Sequence, residues 1–123
     1  MNKVISTTIA LLFALQLSAQ VLIIPDIHGR SYWKEATAKY PKLPVIFLGD
    51  YLDPYSHEGI TPEEALTNFK EILAFKKANM DRVTLLIGNH EVHYIDTALW
   101  FSRKDTANAE YIHQLIRENM PLF

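Results

Sequence analysis

The chain contains no cysteine, and this absence excludes two kinds of structure. A small fold held by disulfide bonds needs cysteine pairs, and a metal site of thiolate ligands needs cysteines as well. Any metal ion would therefore be held by histidine, carboxylate or amide side chains. The absence leaves open whether the compartment is reducing or oxidising.

The chain also has little net charge and no run suited to a stable membrane span, which needs about 20 mainly apolar residues. A formal charge of -2 provides no broad cationic surface, so composition does not favour nucleic acid as a partner. With 49% hydrophobic and 21% charged residues, the 123-residue chain is typical of one globular domain. Nothing in the composition indicates an oligomeric state.

The N terminus has the pattern of a targeting segment. Lys3 precedes an apolar run over residues 4–17, and the small residues Ser18 and Ala19 follow it. This pattern predicts a signal peptide over residues 1–19, with residues 20–123 as one domain that is exported to the periplasm or secreted. The alternative is a hydrophobic helix or strand of the fold itself in a cytoplasmic protein.

Three short aliphatic and β-branched runs predict parallel strands. They cover residues 21–24, 45–48 and 83–87. Their composition is typical of strands covered on both faces, and helix signals separate them. The sequence therefore predicts an α/β fold in the order β-α-β-α-β with right-handed crossovers.

Each predicted helix has a recognisable start. A first helix after Ser31 would pack through Trp33, Ala36 and Tyr40. The segment Thr61-Pro62-Glu63-Glu64 is a capping box with proline at the first helical position, which predicts a helix to about residue 79. A last helix is predicted after Asp105, with an apolar face formed by Tyr111, Ile112, Leu115 and Ile116.

Polar side chains follow each predicted strand at once. The three segments are Asp26-Ile27-His28-Gly29, Gly49-Asp50-Tyr51-Leu52-Asp53 and Gly88-Asn89-His90-Glu91. The carboxyl ends of parallel strands meet at one sheet edge, where ligands bind in open α/β sheets. Imidazole and carboxylate groups suit Mn, Fe or Zn. The sequence therefore predicts a metal site at this edge, and the two oxygens of Asp50 allow it to be dinuclear.

In their order and intervals, these segments resemble the first three signatures of the calcineurin-like metallophosphoesterases, in the version found in serine/threonine phosphatases. The resemblance implies a metal-dependent phosphoester hydrolase that uses a bridging hydroxide between two ions of Mn, Fe or Zn and forms no phosphoenzyme. Asp26 and His28 would hold one ion, Asp50 would bridge both, and Asn89 would hold the second. The segments do not distinguish among phosphoester substrates.

The resemblance also implies two catalytic residues. His90 would protonate the leaving oxygen of the substrate, and Asp53 would orient His90 through a hydrogen bond. One departure concerns substrate binding, because Pro54-Tyr55 stand where similar phosphatases have an arginine that grips phosphate, followed by glycine. Arg30 is a candidate replacement, and a solvated arginine at a helix start is the alternative.

The second departure concerns the metal site. The family completes it with three more histidines, including a Gly-His-x-His motif, and no such motif follows Glu91. The other histidines are interpreted as surface or packing residues: His57, His93 and His113. The expectation is therefore half a site on a fragment of the fold, with one sheet face uncovered.

Two other functions remain as alternatives. A noncatalytic remnant or metal-binding module would keep the strand-end segments without turning over substrate. A nucleotide-binding Rossmann unit would share the β-α-β pattern, but no glycine-rich phosphate loop follows the first strand.

Overall fold

The computed structural model describes residues 20–123, and the predicted signal peptide over residues 1–19 lies outside that part. Three parallel strands form one sheet in the order β1-β2-β3. They are β1 (Leu22–Ile24), β2 (Val45–Phe47) and β3 (Val83–Leu85). In this register Ile23 pairs with Ile46, and Ile46 pairs with Thr84. The three predicted strands are thus confirmed, each shorter than predicted at one end.

Four helices complete the described part of the fold. They are α1 (Tyr32–Lys39), α2 (Pro62–Ala78), α3 (Asn89–Ile95) and α4 (Ala109–Asn119). Short 3-10 turns cover Ser56–Glu58 and Met120–Leu122. Helix α1 connects β1 to β2 and α2 connects β2 to β3, so the predicted β-α-β-α-β order is confirmed. No helix within residues 20–123 is long and apolar enough to cross a membrane.

The hydrophobic core lies on one face of the sheet. Alternate strand residues such as Ile24, Phe47 and Leu85 are buried in one cluster with side chains from all four helices. On the other face Ile23 is 48% exposed and Thr84 is also exposed. The expectation of strands covered on both faces is therefore wrong for the described residues, whereas the expectation of an uncovered sheet face is confirmed.

Helix α2 begins as the sequence predicts. The Thr61 hydroxyl accepts a hydrogen bond from the Glu64 amide at 3.1 Å, and the Glu64 carboxylate accepts one from the Thr61 amide at 2.8 Å. At the other end, the buried Lys76 ammonium donates to the carbonyl of Val83 at 2.5 Å. The helix is thus fixed at both ends, and it carries the longest apolar face of the core.

The packing face of α1 differs from the prediction. Ser31 is the N-cap residue, but its side chain forms no capping hydrogen bond. Trp33 is buried and Ala36 packs against the core as expected, and the second buried position is Thr37. Thr37 can be buried because its hydroxyl donates to the Trp33 carbonyl at 2.8 Å. Tyr40 lies beyond the helix end and is 43% exposed.

In α4 the start and one residue of the predicted apolar face differ, whereas Ile112 and Ile116 are buried and Leu115 packs against the core, as expected. The helix begins at Ala109, because the Asp105 carboxylate accepts hydrogen bonds from the backbone and side chain of Asn108 one turn earlier. Tyr111, expected in the core, is 48% exposed. His113, expected on the outer side, is half-buried and donates from Nδ1 to the Tyr94 carbonyl at 2.7 Å. These contacts join α4 to α3.

Candidate metal centre

The three segments predicted as a site meet at the carboxyl edge of the sheet. Within residues 20–123, the non-glycine residues with positive φ are His28 at 44°, Asp50 at 52° and Asp53 at 61°. A left-handed conformation costs an L-residue about 1–2 kcal/mol. All three are residues to which the sequence analysis assigned a role, so the backbone strain is concentrated at the candidate site.

Two glycines let the second and third segments touch. Gly49 has φ of 103°, and a Cβ atom placed on it would lie 2.2 Å from the Gly88 nitrogen. A Cβ on Gly88 would lie 2.2 Å from the Asp50 carboxylate. A side chain at either position would therefore separate the two segments, and Asp50 would move with its loop.

The Glu91 side chain links the same two segments through hydrogen bonds. Its carboxylate accepts hydrogen bonds from the backbone amides of Asp50 at 2.8 Å, Tyr51 at 2.8 Å and Gly88 at 3.0 Å. Burial raises the pKa of Glu91 to about 7, although these three amide bonds favour its ionised form. Glu91 has no role predicted from the sequence. In the structure its three hydrogen bonds link the second and third segments, and we call this set of bonds the Glu91 clamp.

Hydrogen bonds fix the ring of His28. Its Nδ1 lies 2.9 Å from the Leu52 carbonyl oxygen, and because a carbonyl only accepts, Nδ1 must donate. The lone pair of the neutral ring is then on Nε2, as a metal ligand requires. The rings of His28 and His90 pack edge to face with centroids 4.7 Å apart.

His90 is held from two sides. Its backbone amide donates to Asp50 Oδ1 at 2.9 Å, and its Nδ1 lies 2.9 Å from Asp53 Oδ2. The second contact is the hydrogen bond that the resemblance implies, and the catalytic roles of the two residues stay predictions. The Asp53 side chain is fully buried. Its electrostatic interaction with the groups it contacts is therefore weakly screened by solvent.

Three further residues complete this network. Tyr94 donates its hydroxyl to Asp53 Oδ1, and burial raises the pKa of Tyr94 so that the hydroxyl stays protonated. The backbone amide of Asp105 donates to the Tyr94 hydroxyl at 2.8 Å. Arg103 donates to the Asp53 carbonyl at 2.9 Å, and its Nη2 lies 3.3 Å from His90 Nε2. None of the three is predicted from the sequence to belong to this network, because no local motif marks such contacts.

The described residues contain one compact group of metal-ligating histidine and carboxylate side chains. His28, Asp50 and His90 each offer a ligand atom, and these atoms all lie within 4.8 Å of one another. Two imidazoles and a carboxylate suit Mn, Fe or Zn. Asp26 is exposed and does not belong to this group, and Asn89 is exposed at the first position of α3.

The remaining candidates lie apart from the group. Arg30, a candidate phosphate ligand, forms an ion pair with Glu58 at 2.7 Å, and this contact raises the pKa of Arg30 above its usual range. His57 is exposed, as expected. His93 is half-buried with its ring 4.6 Å from that of Phe101, and its buried Nδ1 has no hydrogen-bond partner within the described part.

Comparison with known proteins identifies relatives of the chain. It is 32% identical over 91 residues to the serine/threonine-protein phosphatase 6 catalytic subunit of Drosophila melanogaster, a match that covers 71% of this chain and 28% of that protein. It is 32% identical over 90 residues to the serine/threonine-protein phosphatase 4 catalytic subunit of Saccharomyces cerevisiae, covering 70% of this chain and 27% of that protein. The matched region thus spans little more than a quarter of these relatives.

A family profile gives the broader assignment. The profile described as calcineurin-like phosphoesterase matches residues 19–122, which include all three strands, all four helices and every candidate ligand. The three-stranded parallel sheet with its helices is consistent with part of that fold. The chain belongs to the calcineurin-like phosphoesterase family.

Proposed function

We propose that this protein is a metal-dependent phosphoester hydrolase whose active site is the strand-end cluster of His28, Asp50 and His90. The observation that carries the proposal is that three loops, separate in sequence, bring these ligand atoms within 4.8 Å of one another. Family membership supports the reaction class. The names of the two relatives, both serine/threonine-protein phosphatases, support a phosphate ester of a hydroxyl group as substrate.

The proposed site holds two ions of Mn, Fe or Zn. Asp26 and His28 would hold one ion, Asn89 would hold the other, and Asp50 would bridge them. The geometry supports this for His28 and Asp50, which are both buried and whose ligand atoms lie within 4.8 Å of each other. When bound, the ions would polarise the phosphoryl oxygens and lower the pKa of coordinated water.

His90 is the proposed proton donor. Asp53 contacts Nδ1 of the ring, so Nε2, which lies 3.3 Å from Arg103 Nη2, is the nitrogen that would act on the substrate. The proton would pass from Nε2 to the leaving oxygen as the bond between phosphorus and that oxygen breaks. Tyr94 keeps Asp53 in place by donating to its other oxygen, so the orientation of His90 is fixed before substrate arrives.

A metal-binding module without catalysis is the second candidate. The observation that favours it is that the compact group in residues 20–123 contains three ligating residues, a number that one ion can satisfy. Asp26 does not belong to this group. The two candidates differ in whether bound metal leads to turnover.

Hydrolysis of p-nitrophenyl phosphate by the full chain with Mn²⁺ distinguishes the candidates. We expect turnover that requires Mn²⁺ and falls by about 10²- to 10⁴-fold in His90→Ala, because the general acid is lost. Asp50→Asn should also abolish turnover, whereas Asp81→Asn, at an exposed position, should leave it unchanged. If the wild-type chain binds Mn²⁺ but hydrolyses no faster than Asp50→Asn, the metal-binding module is the correct assignment.

A further inference from the structure

Among residues 20–123, Arg103 has no acidic partner and lies beside the candidate site. Arg103, between α3 and α4, is half-buried, and its Nη2 lies 3.3 Å from His90 Nε2. Within residues 20–123 the arginine and lysine side chains that form ion pairs are Arg30 and Lys34. The charge of Arg103 is therefore not neutralised by a direct carboxylate contact in this part of the chain.

Two contacts hold the guanidinium group in place. Its Nη1 donates to the Asp53 carbonyl at 2.9 Å, and its Cζ lies 3.8 Å from the centroid of the Tyr55 ring. The guanidinium group is planar, and stacking on an aromatic ring restricts the orientation of that plane and of its N–H donors. Tyr55 thus supports the guanidinium group in the position where it contacts His90.

A cleft beside Arg103 is large enough for a small molecule to enter. Arg103 lines a cleft of about 600 Å³ between the loop that follows β2 and the segment that follows α3. Pro54 and Ile60 provide apolar walls, and Ser102 provides a hydroxyl group. The size lies within the range of small-molecule sites, and the cleft lies beside Arg103 without His28, Asp50 or His90 in its lining.

We propose that Arg103 binds the phosphoryl group of the substrate, supported by Tyr55. The proposal rests on the function proposed above, because it places the phosphoryl group beside His90. Nη2 and Nε2 are 3.3 Å apart, so one phosphoryl oxygen within hydrogen-bond distance of Nε2 is also within reach of Nη2. A planar guanidinium can donate two parallel bonds to a phosphoryl group, which a lysine ammonium cannot do.

Arg30 is the less suitable arginine for this role. Its Nε and Nη2 both donate to the Glu58 carboxylate, at 3.0 and 2.7 Å. A phosphate would have to replace that carboxylate before it could occupy the same donors. Arg103 has no such competitor among the described residues, so the structure assigns it the position that the sequence analysis gave to Arg30.

Binding of inorganic phosphate to the Mn²⁺-loaded full chain, measured by isothermal titration calorimetry, tests the proposal. We expect Arg103→Ala to weaken phosphate binding by about 10- to 100-fold, the loss typical of a charge-assisted hydrogen-bonding group. Arg103→Lys keeps the charge and should still weaken it, because the paired donors are lost. Arg117→Ala, at an exposed position of α4, should leave it unchanged.

Tyr55 provides a second pair of variants that does not alter the arginine. Tyr55→Phe keeps the ring and should bind phosphate as the wild type does, whereas Tyr55→Leu should weaken binding. For all variants the Mn²⁺ affinity should stay at the wild-type value. Phosphate affinity of both Arg103 variants within about twofold of wild type would overturn the assignment while leaving the hydrolase proposal intact. A wild-type chain that binds neither Mn²⁺ nor phosphate would overturn both.

Discussion

Left-handed backbone at His28, Asp50 and Asp53 shows that single residues of the site are held in conformations they do not prefer. Each costs about 1–2 kcal/mol, which must be offset by the surrounding contacts. These contacts are hydrogen bonds. The Glu91 carboxylate accepts from the backbone amides of Asp50 and Tyr51, and the Leu52 carbonyl accepts from Nδ1 of His28. The site is therefore rigid because its neighbours determine its shape.

Gly49→Ala should destabilise the protein by about 3 kcal/mol or more, because the added Cβ combines strained backbone with a collision. That atom would lie 2.2 Å from the Gly88 nitrogen. The control is Gly59→Ala, where φ is also positive but no atom lies within 4 Å, so the cost should be about 1 kcal/mol. Urea unfolding followed by circular dichroism measures both. Equal losses would show that the contact between the two loops is not close.

Glu91→Gln should cost about 1–3 kcal/mol of folding free energy. An amide has one oxygen, so its NH₂ group must face at least one of the three backbone amides that the carboxylate accepts. Urea unfolding at pH 8 is the measurement, with Glu63→Gln, exposed in the first turn of α2, as the control. A variant as stable as this control would refute the clamp.

At the scale of single elements, capping differs between the two crossover helices. Thr61→Ala removes an observed capping box from α2 and should cost about 1 kcal/mol. Ser31→Ala should change stability by only about 0.5 kcal/mol or less, because the Ser31 side chain forms no capping bond with α1. Urea unfolding of the two variants measures this difference. The reverse order of losses would contradict the assigned helix starts.

The strands and α2 could be predicted because their signals are local. A run of β-branched residues and a Thr-Pro-Glu-Glu start each lie within one element. The role of Arg103 could not be predicted in this way, because it contacts the Asp53 carbonyl 50 residues earlier in the chain. The sequence predicts Asp105 as a helix cap for the same reason. The hydrogen bond from its backbone amide to the Tyr94 hydroxyl is visible only in the folded structure.

At the scale of the whole molecule, the sheet has one buried and one exposed face within the described residues. Ile24→Ala should cost about 2–5 kcal/mol, because it leaves a cavity in the core. Ile23→Ala, at a position that is 48% exposed, should cost about 1 kcal/mol or less. The pair differs by one position in the same strand, so urea unfolding reports directly which face is packed. Similar losses would contradict the one-sided core.

The central claim is that three strand-end loops form one metal site. Its most direct test is Mn²⁺ titration of the full chain by isothermal titration calorimetry, with Asp50→Asn and His28→Ala beside Asp81→Asn. The account predicts that the wild type and Asp81→Asn bind Mn²⁺ alike, and that the other two variants bind at least about tenfold more weakly. A wild-type titration that cannot be distinguished from that of Asp50→Asn would contradict it.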